Sequence, residues 1–140
     1  MAFSGNYSCN VFKTGLMNGS FNFTSDTFYL ALYTNEATLN ASTTAYTATG
    51  EVVADGYTAG GQALTVSTTP TVGSSGTTAY ISFDNVTWTS ALTARGALIY
   101  KAGDNGAVCV LDFGSDKTST ATFTVEFPAS TNTSAIIRIA

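Results

Sequence analysis

The chain has 140 residues, 44 % of them hydrophobic and only 10 % charged, with a formal net charge of −4. That length fits a single domain whose core needs neither disulfides nor a structural metal. Its basic residues, Lys13, Arg95, Lys101, Lys117 and Arg138, are scattered, which argues against nucleic acid as a partner, and no apolar run is long enough for a membrane-spanning helix.

Thr is abundant, whereas the Lys and Glu typical of surface helices are scarce. Threonine is β-branched and keeps a solvent face polar without charge, so the composition predicts an all-β protein. A free soluble surface normally carries more charge, and its shortage here points to contact with other subunits.

Residues 1–10 carry too little apolar pattern to pack by themselves and are expected to form a docking arm. Residues 1–15 lack the basic start and continuous apolar segment of a signal peptide, so synthesis in a cytoplasm is expected. One short helix is predicted within 8–19, capped by Ser8 or Asn10 and ended by Gly19, with Val11, Phe12 and Leu16 on one face. The first strand is TFYLALYT, 27–34. Both of its faces are apolar or aromatic, which places it centrally. A long polar connection follows over 35–50, with a brief helical turn at Glu36–Leu39.

A strand is expected at Ala63–Ser67, then a loop over PTVGSSG, 70–76, because Pro, Gly and Ser interrupt pairing. Thr78–Phe83 alternates with Ala79, Ile81 and Phe83 on one face. Asp84 and Asn85 turn the chain, and Val86 and Trp88 resume the alternation, with Trp88 in the core. RGALIYK, 95–101, is joined to Val108–Phe113 through a linker containing Asn105-Gly106, a strong hairpin signal. Within that strand Arg95 reads as an ion-pair partner. GSDKTST, 114–120, reads as a turn, Ala121–Phe127 as a strand stopped by Pro128, and Ala135–Ile139 as the last strand. Seven or eight short, evenly spaced strands describe a single-domain antiparallel β-sandwich over 1–140, jelly-roll-like, with at most one short N-terminal helix.

Residues 50–64, GEVVADGYTAGGQAL, resemble a phosphate loop only in their glycines. Gly61 is followed by Gln62 where a P-loop needs Lys and Ser/Thr, so the segment reads as a tight corner. Asp112-Phe113-Gly114 matches a kinase triplet, but the chain contains no histidine and lacks the partner motifs. The absence of histidine removes Ser-His-Asp and Cys-His catalysis and the common zinc sites. Asp84, Asn85, Asp104 and Asn105 read as turn formers rather than calcium ligands. Cys9 and Cys109 follow no metal or redox spacing and read as small buried thiols, with their pairing left open. No catalytic, cofactor-binding or metal site is expected. Tyr46 and Tyr57 are the candidate interface anchors, since a tyrosine ring is apolar and its hydroxyl polar. Tyr7, Tyr46, Tyr57 and Asn105 would serve a carbohydrate-binding alternative.

Four segments carry a family resemblance: DTFYLALYTNEATL (26–39), YTATGEVVADGYTAGGQAL (46–64), FDNVTWTSALTARGALIYKA (83–102) and VLDFGSDKTST…FPASTNTSAIIRIA (110–140). Their order resembles small structural proteins of tailed-bacteriophage virions, over about Phe12 to Ala140. TARGALIY and LDFGSDKT are the most specific pieces. The resemblance implies a non-enzymatic head decoration or cement protein, made in the bacterial host cytoplasm and placed on the phage head. It implies the major capsid protein as partner and a dimer or trimer of this chain. A tail or head-fibre component that binds a receptor or glycan is the alternative.

Overall fold

The computed structural model describes residues 3–73 and 76–140. In chain order its elements are β1 (Tyr7–Ser8), α1 (Asn10–Asn18), β2 (Phe28–Tyr33), β3 (Gln62–Ala63), β4 (Val66–Val72), β5 (Ala79–Phe83), β6 (Val86–Trp88), β7 (Thr93–Lys101), β8 (Ala107–Thr118), β9 (Phe123–Val125) and β10 (Ile137–Ile139). The fold is all-β with one short helix, and every strand pair is antiparallel. The registers define three sheets, β1-β8-β7-β2-β3, β10-β5-β4 and β6-β9, where a jelly roll divides its eight strands between two. None of the described helices is long and apolar enough to cross a membrane.

β2 lies between β7 and β3, and five of its six residues are buried. Its pairing with β7 runs unbroken from Phe28 opposite Lys101 to Tyr33 opposite Gly96. Both faces of β2 are therefore packed within one core cluster. Phe28 stacks on Phe23 at 4.7 Å between ring centroids, and both rings meet Phe83 of β5 at 6.3 Å. That aromatic cluster joins the five-stranded sheet to the three-stranded one, with Phe12 of α1 against Phe23 at 5.8 Å. The opposite face carries Tyr29, Ala31 and Tyr33 toward the glycine corner.

The helix forms inside the predicted range, and Gly19 ends it at φ +80°. Its first turn differs from expectation: the N-cap is Cys9, which makes no side-chain capping bond. Gly15 is tolerated mid-helix because Phe21 packs against it, where a Cβ would overlap the ring.

Residues 3–9 are not an arm. Phe3 and Cys9 are buried, β1 pairs with β8, and Asn6 accepts the Asp112 N–H at 2.6 Å. Phe3 packs where Gly96 lacks a side chain and under the Arg95 guanidinium, 5.8 Å from its ring centroid. Arg95 is indeed an ion-pair partner within its strand: it meets Asp112 at 3.0 Å, largely out of solvent.

The connection over 35–50 has no helical turn at Glu36–Leu39; one turn closed by Ala37 N–H donating to Thr34 carbonyl replaces it. Pro70–Val72 is strand rather than loop. Proline is admissible there because β4 is an edge strand with register shifts between Val66 and Thr71, so its missing N–H removes little pairing. Residues 74–75 of the expected loop lie outside the described residues. GSDKT, expected as a turn, is the end of β8. Three residues of β7 (Ala94 to Gly96) there oppose six of β8 (Asp112 to Lys117), and the excess bulges out around Gly114 at φ +86°.

The two thiols lie close to the β1–β8 pairing. Ser8 stands opposite Cys109, and Cys9 donates its N–H to Val108 carbonyl at 2.9 Å. Both thiols are free and buried. Burial pushes Cys9 up to about 11 and Cys109 up to about 12.

Candidate functional site

The glycine-rich corner is fixed to the sheet by backbone. Val52 N–H donates to Leu32 carbonyl at 3.0 Å, and Leu64 N–H to Phe28 carbonyl at 2.7 Å, so the loop leaves β2 and returns to it. Gly50 and Gly61 have φ near +80° and lie against the backbone of Ala37 and Leu30. Only glycine combines that conformation with that approach.

Inside the corner is a carboxylate. Glu51 is 7 % exposed, and both its oxygens are occupied. Tyr46 hydroxyl donates to Oε1 at 2.6 Å, Tyr57 hydroxyl to Oε2 at 2.6 Å, and the Gly60 N–H to Oε2 at 2.8 Å. Tyr57 hydroxyl also accepts the Leu32 N–H at 2.9 Å. Tyr100 hydroxyl donates to Gly60 carbonyl at 2.6 Å, and Tyr33 hydroxyl to Thr47 carbonyl at 2.7 Å. Tyr100 is sandwiched by rings, with Tyr46 at 4.9 Å and Tyr29 at 5.9 Å, while Tyr57 lies against Trp88 at 5.8 Å. A buried carboxylate is tolerated because its charge is met by three hydrogen bonds of the charge-assisted class.

These phenols are held protonated. Desolvation first, and the Glu51 charge after it, push Tyr100 up to about 12, and desolvation with the Glu51 contact pushes Tyr57 and Tyr46 higher still. Tyr33 is raised by the same two causes, in the same order. The hydrogen bonds of Tyr46, Tyr57 and Gly60 to Glu51, and of Tyr57 to Leu32, tie the corner to β2 and make the arrangement a brace.

A pH dependence follows. Each of these phenols, like the two thiols, loses its proton at higher pH folded than unfolded. Their contribution to stability is full below the ordinary values, 9 for thiol and 10 for phenol, and is lost as pH rises toward the folded values. Raising the pH from about 8 to about 11 is expected to lower the melting temperature by at least ~5 °C. A melting curve indifferent to that change would contradict the brace.

The corner does not present the tyrosines expected of it. Tyr57 is 9 % exposed and turns inward, because the Glu51 carboxylate and the Leu32 amide both need its hydroxyl. Tyr46 is half-buried and likewise spends its hydroxyl on Glu51. The large apolar side chain that the corner shows to solvent is Val53, 96 % exposed, next to a Val52 that is 4 % exposed, with Asp55 and Thr58 also exposed. Sequence reading missed Glu51 and Val53. The one available signal was GEVV itself, two adjacent valines that a corner must split between core and solvent.

Other candidate positions have ordinary structural partners. Trp88 is core at 2 % exposure. Asp104 accepts the Gly106 N–H at 3.0 Å and faces Lys101 at 3.6 Å. Asn105 takes φ +62° in the hairpin turn. Asp112 of the kinase-like triplet is paired with Arg95. Among the described residues no three His, Cys, Asp or Glu side chains converge as metal ligands would. Comparison with known protein families, curated proteins and solved structures finds no match to this chain.

Proposed function

We propose that this protein is a non-enzymatic virion component that binds the outer surface of a tailed-phage capsid and stabilises it. In this reading it is a decoration or cement protein on the phage head, made in the host cytoplasm, with the major capsid protein as partner and two or three copies per unit. The observation that carries the reading is Val53, an almost fully exposed apolar side chain held on a corner that Glu51, Tyr46, Tyr57 and Gly60 brace from within. A loop ordered before binding loses little entropy on docking. The low charge of the chain and the resemblance of its segments to phage structural proteins support the same reading. Docking of this kind needs on the order of 800 Å² per partner, and repetition over a shell adds avidity to modest single contacts.

The test adds purified protein to expanded capsids lacking it and looks for ordered occupancy. Val53→Glu is expected to weaken capsid binding at least ~10-fold while leaving the melting temperature unchanged, because the side chain touches solvent and not core. Unchanged binding would remove the corner from the interface. Absence of the protein from heads, in a mass-spectrometric inventory of separated heads and tails, would sink the reading.

A fibre component that binds glycans is the second reading, favoured by the row Tyr29–Tyr100–Tyr46. Tyr29 and Tyr46 are half-buried, and neither end of the row is enclosed in the core. Glycan-array binding lost in Tyr29→Ala, with the fold intact, would support it.

A further inference from the structure

The chain holds two Asn-Gly pairs, Asn18-Gly19 and Asn105-Gly106. Asparagine before glycine is the pair most open to intramolecular attack, because the glycine nitrogen reaches the asparagine side-chain carbon with no Cβ in the way. The fold treats the two pairs differently. Asn18 is the last residue of α1, and the Gly19 N–H is held by the Gly15 carbonyl. The side-chain oxygen of Asn18 is also committed, accepting the Ser20 N–H at 3.1 Å and the Ser20 hydroxyl. Asn105 is exposed at the tip of the β7–β8 hairpin, and its side chain makes no hydrogen bond among the described residues. The nitrogen facing it is already polarised, since the Gly106 N–H donates to Asp104 Oδ1 at 3.0 Å. Asp104 is itself exposed, with its other oxygen 3.6 Å from Lys101 Nζ.

We propose that Asn105 is a site of self-modification, where the hairpin converts its own asparagine to aspartate and isoaspartate. The Gly106 nitrogen attacks Asn105 Cγ, and its proton passes to the Asp104 carboxylate, which acts as general base. Asp104 returns that proton to the departing amide nitrogen, the Cγ–Nδ2 bond breaks, and ammonia leaves behind a five-membered imide. One water then adds to either imide carbonyl. Opening on one side gives aspartate, and opening on the other gives isoaspartate. Either product adds one negative charge to a net charge of −4, beside Asp104. In the isoaspartyl product the chain also gains a methylene, and the Asn105 carbonyl that accepts the Tyr46 N–H at 2.9 Å becomes a carboxylate. The change therefore falls where the hairpin meets the segment carrying Tyr46 of the brace. It does not rest on capsid docking, because nucleophile, base and leaving group all belong to this chain and the co-reactant is water.

The test incubates the purified full chain in mildly alkaline buffer, folded in one arm and in urea in the other. Peptide mapping by mass spectrometry and enzymatic isoaspartyl methylation follow each Asn-Gly pair. The urea arm gives the reference, with both pairs converting at similar rates once the fold is gone. In the folded protein Asn105 is expected to convert at least ~10-fold faster than Asn18, whose release requires breaking its hydrogen bonds. Asp104→Ala, a change at an exposed position, is expected to slow Asn105 at least ~10-fold while leaving Asn18 at the parent rate. Comparison of the two pairs in the parent protein needs no variant. An Asn105 that stays intact in the folded arm, or converts no faster than Asn18, would overturn the proposal. So would an Asp104→Ala protein, shown by circular dichroism to be folded, that converts Asn105 at the parent rate.

Discussion

Gly61→Ala is expected to destabilise the protein by more than about 4 kcal/mol, enough to unfold a marginally stable domain. Two costs coincide at this position. Its φ of +81° is disfavoured for any residue with a Cβ, by about 1–2 kcal/mol. The added Cβ would also overlap the Leu30 carbonyl oxygen and stand 2.8 Å from the Ala31 Cα. Neither neighbour can retreat, because Leu30 and Ala31 lie in β2 with β7 paired on one side and β3 on the other. Gly19 supplies the control. It has nearly the same φ, +80°, but a Cβ there meets nothing within 4 Å. Gly19→Ala is therefore expected to cost only about 1 kcal/mol, the conformational part alone. Urea denaturation of the two variants reads the difference directly. Equal losses would mean that the corner does not bear on β2 as described.

The same comparison shows what a one-dimensional reading can and cannot reach. The β2 and β7 strands and the Asn105-Gly106 hairpin were legible because alternation and turn chemistry are local properties. The glycines of the corner were legible as backbone requirements for the same reason. β1 was not: Tyr7 and Ser8 become strand only because β8 offers them an edge. Nor was the passage of β4 through Pro70, which depends on its place at the end of a sheet. The bulge of β8 at Gly114 likewise exists only relative to β7. The candidate site failed in a more instructive way. Tyr57 was expected outside because a tyrosine on a glycine-rich corner has no local reason to face inward. Its reason is Glu51, six residues earlier, together with the Leu32 amide, twenty-five residues earlier. Inward-facing Tyr57 leaves Val53 as the exposed apolar group, so the corner remains a candidate interface with a different residue at its tip.

Glu51→Ala is expected to cost about 3–4 kcal/mol. The loss comes less from the bonds removed than from the donors left behind: Tyr57 hydroxyl and Gly60 N–H would be stranded where water has little access. Tyr46, half-buried, can turn to solvent and should contribute least. Glu51→Gln keeps the volume but offers one acceptor oxygen where three donors converge, and its amide hydrogens face a hydroxyl that donates. It should lose roughly half as much, ~2 kcal/mol. Tyr57→Phe should cost a similar amount, since it removes a donor to Glu51 and the acceptor for the Leu32 amide. In the double variant Glu51→Gln/Tyr57→Phe the two losses should fall short of their sum by at least ~1 kcal/mol, because they act on one contact. Strict additivity in that cycle would show that carboxylate and phenol do not cooperate. The brace also connects stability to docking. In Glu51→Gln the Val53 side chain is untouched, yet its loop is less firmly ordered, so capsid affinity should fall while the Val53 contact itself is retained. A Glu51→Gln protein that binds capsids as tightly as the parent would mean that Val53 docks without needing a rigid corner.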